Sequence, residues 1–359
     1  MLGSRKEKNF VGLDIGSHGI KALELQSKKK GKKAYYEVSR IGYEPLSHDA
    51  IVEGTIIDSS AVVQTIKSLF DKNKFTNKNV VISISGNSVI IKKISLPSME
   101  TEELAESIIW EAKHNIPYPY EETNVDYAIF KPPRDSEAKG LEILLVAVKK
   151  DKVAAYSNVV HQARKNLEAI EVDAFALYNA MEINYPEEFE EKSIALINMG
   201  AHITTIIICE KGTPILFRDL SIGGSFFTEN IRKDLNVSYE DAEKILKGIP
   251  VDNVQPYALE TILTMNVKGL LDEIDKTFSF FESENKKEKK IEQIFLSGGL
   301  ANLKNITSTF EQKFKFKTMI FDPFRNVFYN EKKLNPIYYQ EMATFFGVAA
   351  GLATRGREK

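Results

Sequence analysis

Hydrophobic residues recur along this chain in short strand-like runs and in helical stripes, and the two patterns alternate over most of its length. Short apolar runs bounded by turn residues predict strands at 34–41, 80–85, 90–96, 124–131, 141–148, 213–220 and 291–296. Apolar positions three and four residues apart predict helices at 59–73, 98–115, 151–167, 173–183, 256–284 and 338–354. Because strands alternate with helices, the pattern favours an α/β fold.

One strand–turn–strand pattern occurs twice, at 11–25 and at 195–209. In each copy a polar residue ends the first strand (Asp14, Asn198), and a glycine follows two positions later (Gly16, Gly200). The 359 residues are enough for two domains of about 150–200 residues each. We therefore expect two related α/β domains that face each other across a cleft, with one hairpin from each at its centre.

Composition and charge exclude several classes of protein. The 48 basic and 50 acidic residues nearly balance, so the chain has no general attraction to nucleic acid or to an anionic membrane. Its one cysteine, Cys209, cannot form an intrachain disulfide, and the five scattered histidines have no metal-ligand spacing. No run approaches the roughly 18–20 apolar residues of a membrane span, so we expect a cytoplasmic protein. The lysines at 28–33 indicate a solvated hairpin turn or, as a less favoured alternative, a basic docking patch.

The first hairpin contains the residue types that a nucleoside triphosphate requires. Gly16, Ser17 and His18 form an open turn whose N–H groups could approach phosphate oxygens. Lys21 supplies a positive charge, and Asp14 ends the strand where a carboxylate could hold Mg²⁺.

Two glycine pairs in the second half extend this interpretation. Gly223-Gly224 and Gly298-Gly299 each stand where a helix is predicted to begin, and helix N-termini favour phosphate or ribose oxygens. The alternative is that these glycines only make turns. The chain has no G-x-x-x-x-G-K-[ST] loop and no G-x-S-x-G motif, so a P-loop or a nucleophile elbow is excluded.

Five further segments carry a family resemblance: 111–119, 218–224, 238–244, 296–300 and 322–324. Together with the two hairpins they resemble the actin-like ATPase superfamily. More narrowly, the chain is similar over nearly its whole length to the PilM family of the type IV pilus assembly machinery, the pilus relatives of the cell-division protein FtsA.

The resemblance implies an α/β, actin-like (ribonuclease H-like, duplicated) two-domain ATPase fold with an FtsA-type inserted subdomain. The first core subdomain would comprise 10–85 and 336–359 and receive about 151–190, with the insertion at 86–150. The second core subdomain would comprise 191–222 and 291–335, with its own insertion at 223–290.

The resemblance also implies ATP and Mg²⁺ as cofactors. Asp14 would hold the metal, while Gly16, Ser17, His18 and Lys21 would hold the β- and γ-phosphates. The opposing phosphate turn would comprise Gly200, Ala201 and His202. The other nucleotide-binding residues would be Gly223, Gly224, Glu243, Lys247, Gly298 and Gly299, with Glu243 and Lys247 near the ribose and adenine.

The implied partner is the short cytoplasmic N-terminal segment of PilN, an inner-membrane protein. This peptide would lie in a groove between the 86–150 insertion and the first core subdomain, with 80–96 and 124–131 as candidate walls. FtsA ends in an amphipathic membrane helix, whereas this chain ends at Lys359 soon after its last predicted helix. We therefore expect an adaptor of the pilus inner-membrane complex, acting in twitching motility and held at the membrane through its partners, without direct membrane insertion.

The chain departs from the superfamily pattern at Asn198, where an aspartate usually stands. Loss of this carboxylate predicts slow or absent ATP hydrolysis, and Glu111 is the remaining candidate to orient water. Two alternatives stay open: an FtsA-like cell-division or filament-forming protein, and a small-molecule kinase of the same superfamily.

Overall fold

The computed structural model describes residues 9–30, 33–130, 140–252, 254–284, 290–330 and 336–355. The strands within these ranges are, in chain order, β1 Val11–Ile15, β2 Gly19–Lys30, β3 Lys33–Pro45, β4 Ile51–Val52, β5 Thr55–Ile56, β6 Asn79–Ile84, β7 Val89–Pro97, β8 Thr123–Phe130, β9 Gly140–Lys149, β10 Asn166–Val172, β11 Ser193–Met199, β12 Thr204–Glu210, β13 Thr213–Leu220, β14 Gln293–Ser297, β15 Lys317–Ile320 and β16 Val327–Phe328.

The α-helices are α1 Ser59–Lys72, α2 Thr101–Asn115, α3 Lys150–Gln162, α4 Asp173–Asn184, α5 Pro186–Glu191, α6 Gly224–Leu235, α7 Tyr239–Leu246, α8 Pro256–Glu284, α9 Ile306–Phe314, α10 Pro336–Met342 and α11 Gly347–Ala353. Side-chain caps fix some of these boundaries. The Asp58 carboxylate accepts from the Ala61 N–H before α1, and the Ser238 hydroxyl accepts from the Asp241 N–H before α7. None of the described helices is long and apolar enough to cross a bilayer.

Two sheets repeat one local arrangement. In the first, ordered β10-β6-β1-β2-β3-β16, β1 pairs antiparallel with β2 and parallel with β6. In the second, ordered β13-β12-β11-β14-β15, β11 pairs antiparallel with β12 and parallel with β14. The hairpins detected in the sequence are therefore equivalent hairpins in two sheets.

A third sheet, ordered β7-β9-β8, is antiparallel throughout and carries α2 on one face. Buried side chains of α2, including Leu104, Ile108 and Ala112, form a separate small core with Ile143 and Leu145 of β9. This unit interrupts the chain between β6 and α3, so it is a structural insertion next to the first sheet.

Helices α4 and α11 pack together and belong to a core shared by both large sheets. A Cβ at Gly351 of α11 would overlap the carbonyl of Ala176 in α4, so only glycine allows this approach. A Cβ at Gly12 of β1 would likewise meet the backbone of Ala349 and Ala353 in α11. The two helices thus set how closely the halves of the cleft approach each other.

Most predicted elements are confirmed, but several details were wrong. The predicted helix 151–167 ends at Gln162, because β10 begins at Asn166 and pairs in parallel with β6. Helix α2 begins at Thr101, three residues after its predicted start at residue 98. The predicted last helix, 338–354, is broken into α10, a short 3-10 turn and α11. The subdomain boundaries drawn from the sequence remain a prediction.

Candidate functional site

The turns of the two equivalent hairpins face a common cleft of about 720 Å³. This volume lies within the range of small-molecule and cofactor sites. The structure brings these predicted site residues to its wall: Asp14, Gly16, Ser17, His18, Lys21, Gly200, Ala201, His202, Gly224, Glu243, Lys247, Gly298 and Gly299. Two predicted residues, Gly223 and Glu111, do not line it.

The first turn contains a buried ion pair. Asp14 and Lys21 stand opposite each other in the β1–β2 register, and the Lys21 Nζ lies 3.2 Å from the Asp14 Oδ2. Burial raises the pKa of Asp14 above its ordinary value, with Lys21 opposing this shift and Asp173 adding to it. A Cβ at Gly16 would come within 2.9 Å of the Lys21 Nζ, so the absence of a side chain at Gly16 leaves room for the Lys21 ammonium group.

The second turn is held by backbone hydrogen bonds and carries no carboxylate at the matching strand position. The Gly200 N–H donates to the Ile203 carbonyl at 2.9 Å and closes the turn. Asn198 stands opposite Thr205 in the β11–β12 register and lines the cleft with it. The Thr205 hydroxyl donates to the Asp219 carboxylate at 2.7 Å, and this carboxylate also accepts from the Gly86 N–H at 3.0 Å.

The pair Gly223-Gly224 supports the second turn. The Gly224 N–H donates to the Gly200 carbonyl at 2.9 Å, and the Ser225 N–H donates to the Ala201 carbonyl at 2.8 Å. A Cβ at Gly223 would come within 2.6 Å of the Ala201 carbonyl oxygen. Close packing against this backbone therefore explains why a glycine stands at position 223. These N–H groups at the start of α6 are therefore already bonded to protein, and Gly223 lines a smaller neighbouring cavity instead.

The pair Gly298-Gly299 lies under the opposite end of the same turn. Gly298 has a φ of 86°, in the left-handed region, and a Cβ there would overlap the backbone of Met199 at the end of β11. Its N–H donates to the Thr344 carbonyl at 2.8 Å. The pair opens a short 3-10 turn, Gly299–Asn302, rather than the predicted helix, and both glycines line the cleft.

A residue of the first turn reaches a helix of the opposite half. The His18 Nδ1 lies 3.2 Å from the Glu243 Oε1 on α7, and the Lys247 Nζ lies 3.3 Å from the other oxygen of this carboxylate. Burial lowers the pKa of His18, and Glu243 opposes the shift. A second contact joins α7 to the connection between β3 and β4, because the rings of His48 and Tyr239 lie 4.1 Å apart.

The structure adds a cleft residue that sequence reasoning missed. Asp173 is the first residue of α4 and follows β10 directly, at the edge of the cleft next to Asp14. Helix N-termini favour negative charge, so a carboxylate is stable at this position. Like Asp14, Asp173 is a polar residue at the end of a strand, which is a signal that the sequence contains. It was missed because β10 was not recognised as a strand in the sequence.

Glu111 lies elsewhere in the molecule. It belongs to α2 of the inserted sheet, and its carboxylate accepts from the Asn115 side chain at 2.7 Å. The structure therefore gives no geometric support to the prediction that Glu111 orients water. The described residues that line the cleft include the carboxylates of Asp14, Asp173 and Glu243.

The residues present fit Mg²⁺ bound together with a nucleotide. No group of three or more acidic, histidine or cysteine side chains that could hold a metal occurs in the described ranges. Mg²⁺ is commonly held by one or two carboxylates together with substrate phosphates and waters. Asp14 and Asp173 both line the cleft and are close enough for the charge of Asp173 to add to the rise in the pKa of Asp14 that burial causes, so both could face one cation.

Comparison with known proteins places the chain in a family. Residues 12–357 match the family model described as type IV pilus assembly protein PilM. A relative from Bacillus subtilis (strain 168), cell division protein FtsA, is 22% identical over 304 residues, covering 79% of this chain and 67% of the relative. The chain spans 54 to 67% of the length of the FtsA relatives that it matches.

Solved structures agree on the fold. A PilM–PilN type IV pilus biogenesis complex matches 98% of this chain and 100% of the other with a TM-score of 0.85 at 24% identity. MreB5 of Spiroplasma citri bound to ADP matches 96% of this chain and 94% of the other with a TM-score of 0.52 at 15% identity. The fold is thus that of the actin-like ATPases, and with a family model matching nearly its whole length the chain belongs to the PilM family of type IV pilus assembly proteins.

Proposed function

We propose that this protein is an ATP-binding adaptor of the type IV pilus inner-membrane complex. In this proposal it holds Mg-ATP between its two hairpin turns and hydrolyses it slowly or not at all. It also binds the cytoplasmic N-terminal segment of a PilN-like membrane protein, which keeps it at the membrane.

The observation that carries the proposal is the pairing of two equivalent turns across one cleft with unequal polar residues. Asp14 and Lys21 stand in the first turn, while the second has Asn198 at the matching position. Both turns line the same cleft of about 720 Å³. The solved MreB5 structure that shares this fold is bound to ADP, which supports a nucleotide as the occupant.

The first turn and the opposite side of the cleft would hold different parts of the nucleotide. Lys21 would neutralise phosphate oxygens, and the N–H groups of the open turn at Gly16 and Ser17 would donate to them. Asp14, with Asp173 beside it, would hold Mg²⁺, which screens the phosphate charge when bound. Glu243 of α7 and Lys247, which directly follows this helix, would contact the ribose and base, since they line the other side of the cleft.

Slow hydrolysis follows from the amide at Asn198. An amide cannot accept a proton from an attacking water, and general-base assistance commonly contributes about 10²–10⁴-fold. Asp173 is the carboxylate still available, but its place beside Asp14 favours a role at the cation. The expected result is a clamp that binds ATP and retains it.

The proposed peptide site is the exposed edge of the inserted sheet. β8 pairs with β9 on one side only, within the part of the chain that the structure describes. Ile129, on this edge, is 52% exposed, and Tyr127 beside it is also exposed. An extended segment could add to such an edge through main-chain hydrogen bonds, with its apolar side chains on these residues. The solved PilM–PilN complex supports a PilN-like partner.

The test is a titration of the full chain with a peptide from the cytoplasmic N-terminus of a PilN-like protein, with and without Mg-ATP. We expect saturable binding whose affinity changes when nucleotide is present, because the insertion joins the first half beside the cleft. Absence of peptide binding in both conditions would reject the adaptor role. Peptide binding without any ATP binding would reject only the nucleotide half of the proposal.

A further inference from the structure

The chain enters and leaves the inserted sheet at one place. On entry, Gly86 stands between β6 and β7, and its carbonyl accepts from the Val89 N–H at 2.8 Å. On exit, α3 follows β9 directly, and the Lys152 Nζ in the first turn of α3 donates to the Ser85 carbonyl. Ser85, Gly86 and Lys152 therefore form a junction at the base of the inserted sheet.

The junction packs against the second turn of the cleft. Gly86 has a φ of 90°, in the left-handed region, and a Cβ there would come within 3.0 Å of the Ile203 Cδ1. Ile203 belongs to the second turn, between β11 and β12, and lines the cleft. The base of the insertion, which adjoins the first sheet, thus also lies against the second half of the protein.

One carboxylate joins the junction to the cleft. Asp219 of β13 accepts from the Gly86 N–H at 3.0 Å through its Oδ2 and from the Thr205 hydroxyl at 2.7 Å through its Oδ1. Thr205 lines the cleft opposite Asn198. Burial raises the pKa of Asp219, and the hydrogen bonds from Thr205 and Gly86 oppose this shift. One oxygen of this carboxylate therefore serves the cleft and the other serves the insertion.

We propose that Asp219 is a positioning residue that couples the nucleotide cleft to the inserted sheet. When nucleotide fixes the second turn, Thr205 holds the Asp219 carboxylate, which holds the Gly86 N–H and with it the orientation of the insertion. Nucleotide acts in this way because it binds more tightly when these contacts are formed. The consequence for the peptide edge on β8 rests on the proposed function, whereas the orientation of the insertion does not.

The first test measures this orientation without any peptide. Spin labels are placed on exposed positions of α2 and α8 through Glu106→Cys and Lys268→Cys, while the native Cys209 is buried and stays unlabelled. In the protein with Asp219, Mg-ATP should narrow the distribution of label distances about twofold, because the contact at Gly86 becomes fully populated. In Asp219→Ala the distribution should stay wide with and without Mg-ATP.

A conservative variant separates the hydrogen bonds from the charge. In Asp219→Asn the amide oxygen can accept from the Gly86 N–H, and the amide nitrogen can donate to the Thr205 hydroxyl, which accepts as well as donates. This variant should recover the narrow distribution with Mg-ATP. The matched control is Asp58→Ala, which also removes a carboxylate that accepts from a backbone N–H, that of Ala61 at 2.9 Å, but at the start of α1. It should behave like the wild type.

The second test measures the coupling itself. The full chain and its variants are titrated with the N-terminal peptide of a PilN-like protein, with and without Mg-ATP. In the wild type the two dissociation constants should differ at least about fivefold, within the usual range for coupled sites. In Asp219→Ala they should agree within about twofold, whereas Asp219→Asn and Asp58→Ala should keep most of the difference.

Distinct outcomes would overturn this role or the proposed function. Equal label distances in wild type and Asp219→Ala would show that Asp219 does not position the insertion. The same losses in Asp58→Ala would show that lowered stability, and not the junction, is responsible. Absence of peptide binding would instead reject the adaptor role, and the label distances would then decide the role of Asp219 without the peptide.

Discussion

His18 and Glu243 join the two halves of the protein across the mouth of the cleft, with 3.2 Å between the Nδ1 and the Oε1. His18 belongs to the first turn of the cleft, and Glu243 belongs to α7 on the opposite side. An ionisable contact therefore spans the site where nucleotide is proposed to bind. Occupation of the cleft and the protonation state of His18 should influence each other.

The histidines of the two turns predict a loss of stability in weak acid. Burial lowers the pKa of both His18 and His202 below 6.5. The unfolded chain therefore binds protons near pH 6.5 that the folded chain does not, so stability falls as the pH drops through and below that value. In the wild type, the denaturant midpoint should be lower at weakly acidic pH than at neutral pH. In the double variant His18→Asn/His202→Asn, this difference between the two midpoints should be smaller. An unchanged difference would contradict this assignment.

Asp14→Asn should impair nucleotide binding with only a small effect on stability. Burial raises the pKa of Asp14, the nearby Lys21 ammonium opposes this shift and Asp173 adds to it, so the charged carboxylate costs stability above that pKa. The amide removes this cost but leaves Lys21 without its partner at 3.2 Å, and we expect the free energy of unfolding to change by no more than about 1 kcal/mol. The same variant should lose at least tenfold in affinity for Mg-ATP. Calorimetry and nucleotide titration measure the two effects, and a variant that binds Mg-ATP as tightly as the wild type would refute the prediction.

Gly298→Ala tests the contact beneath the second turn. Its φ of 86° and the overlap of a Cβ with the Met199 backbone predict a loss of about 2–4 kcal/mol. The matched substitution is Gly269→Ala in the middle of α8, where a Cβ meets nothing within 4 Å. Alanine there should add about 0.5–1 kcal/mol through helix propensity. Chemical denaturation distinguishes the two, and equal effects would contradict the packing argument.

Ile129→Asp tests the peptide edge. A charge on this exposed position of β8 should weaken binding of the PilN-like peptide at least tenfold, because an apolar contact is replaced by a carboxylate that resists desolvation. Met265→Asp is the control, since Met265 is 68% exposed on α8 in the other half. Isothermal titration with each variant is the measurement. Equal affinity in both would place the peptide away from β8.

Much of the site was predictable because its chemistry is local in sequence. Asp14 and Gly16 lie two residues apart, and so do Asn198 and Gly200, so each turn could be recognised from one short pattern. Gly298 was also found, since glycine before a helical turn indicates a special backbone conformation.

The remaining features depend on contacts between distant segments. Asp173 was missed because β10 is recognisable as a strand chiefly through its pairing with β6, far away in sequence. Gly223 resembled a ligand-binding glycine, but its role comes from the backbone of Ala201 packed against it. Glu111 lay in a segment of strong family resemblance, which gave no information on its distance from the cleft.

The central claim is that the cleft binds ATP and retains it. The most direct measurement is a single-turnover experiment, in which excess protein is mixed with labelled ATP and Mg²⁺ and the bound nucleotide is followed over time. We expect bound ATP to persist for minutes in the wild type, and Asn198→Asp to hydrolyse it at least tenfold faster. Absence of bound ATP, or wild-type turnover near an ordinary enzymatic rate of about 1 s⁻¹, would contradict the claim.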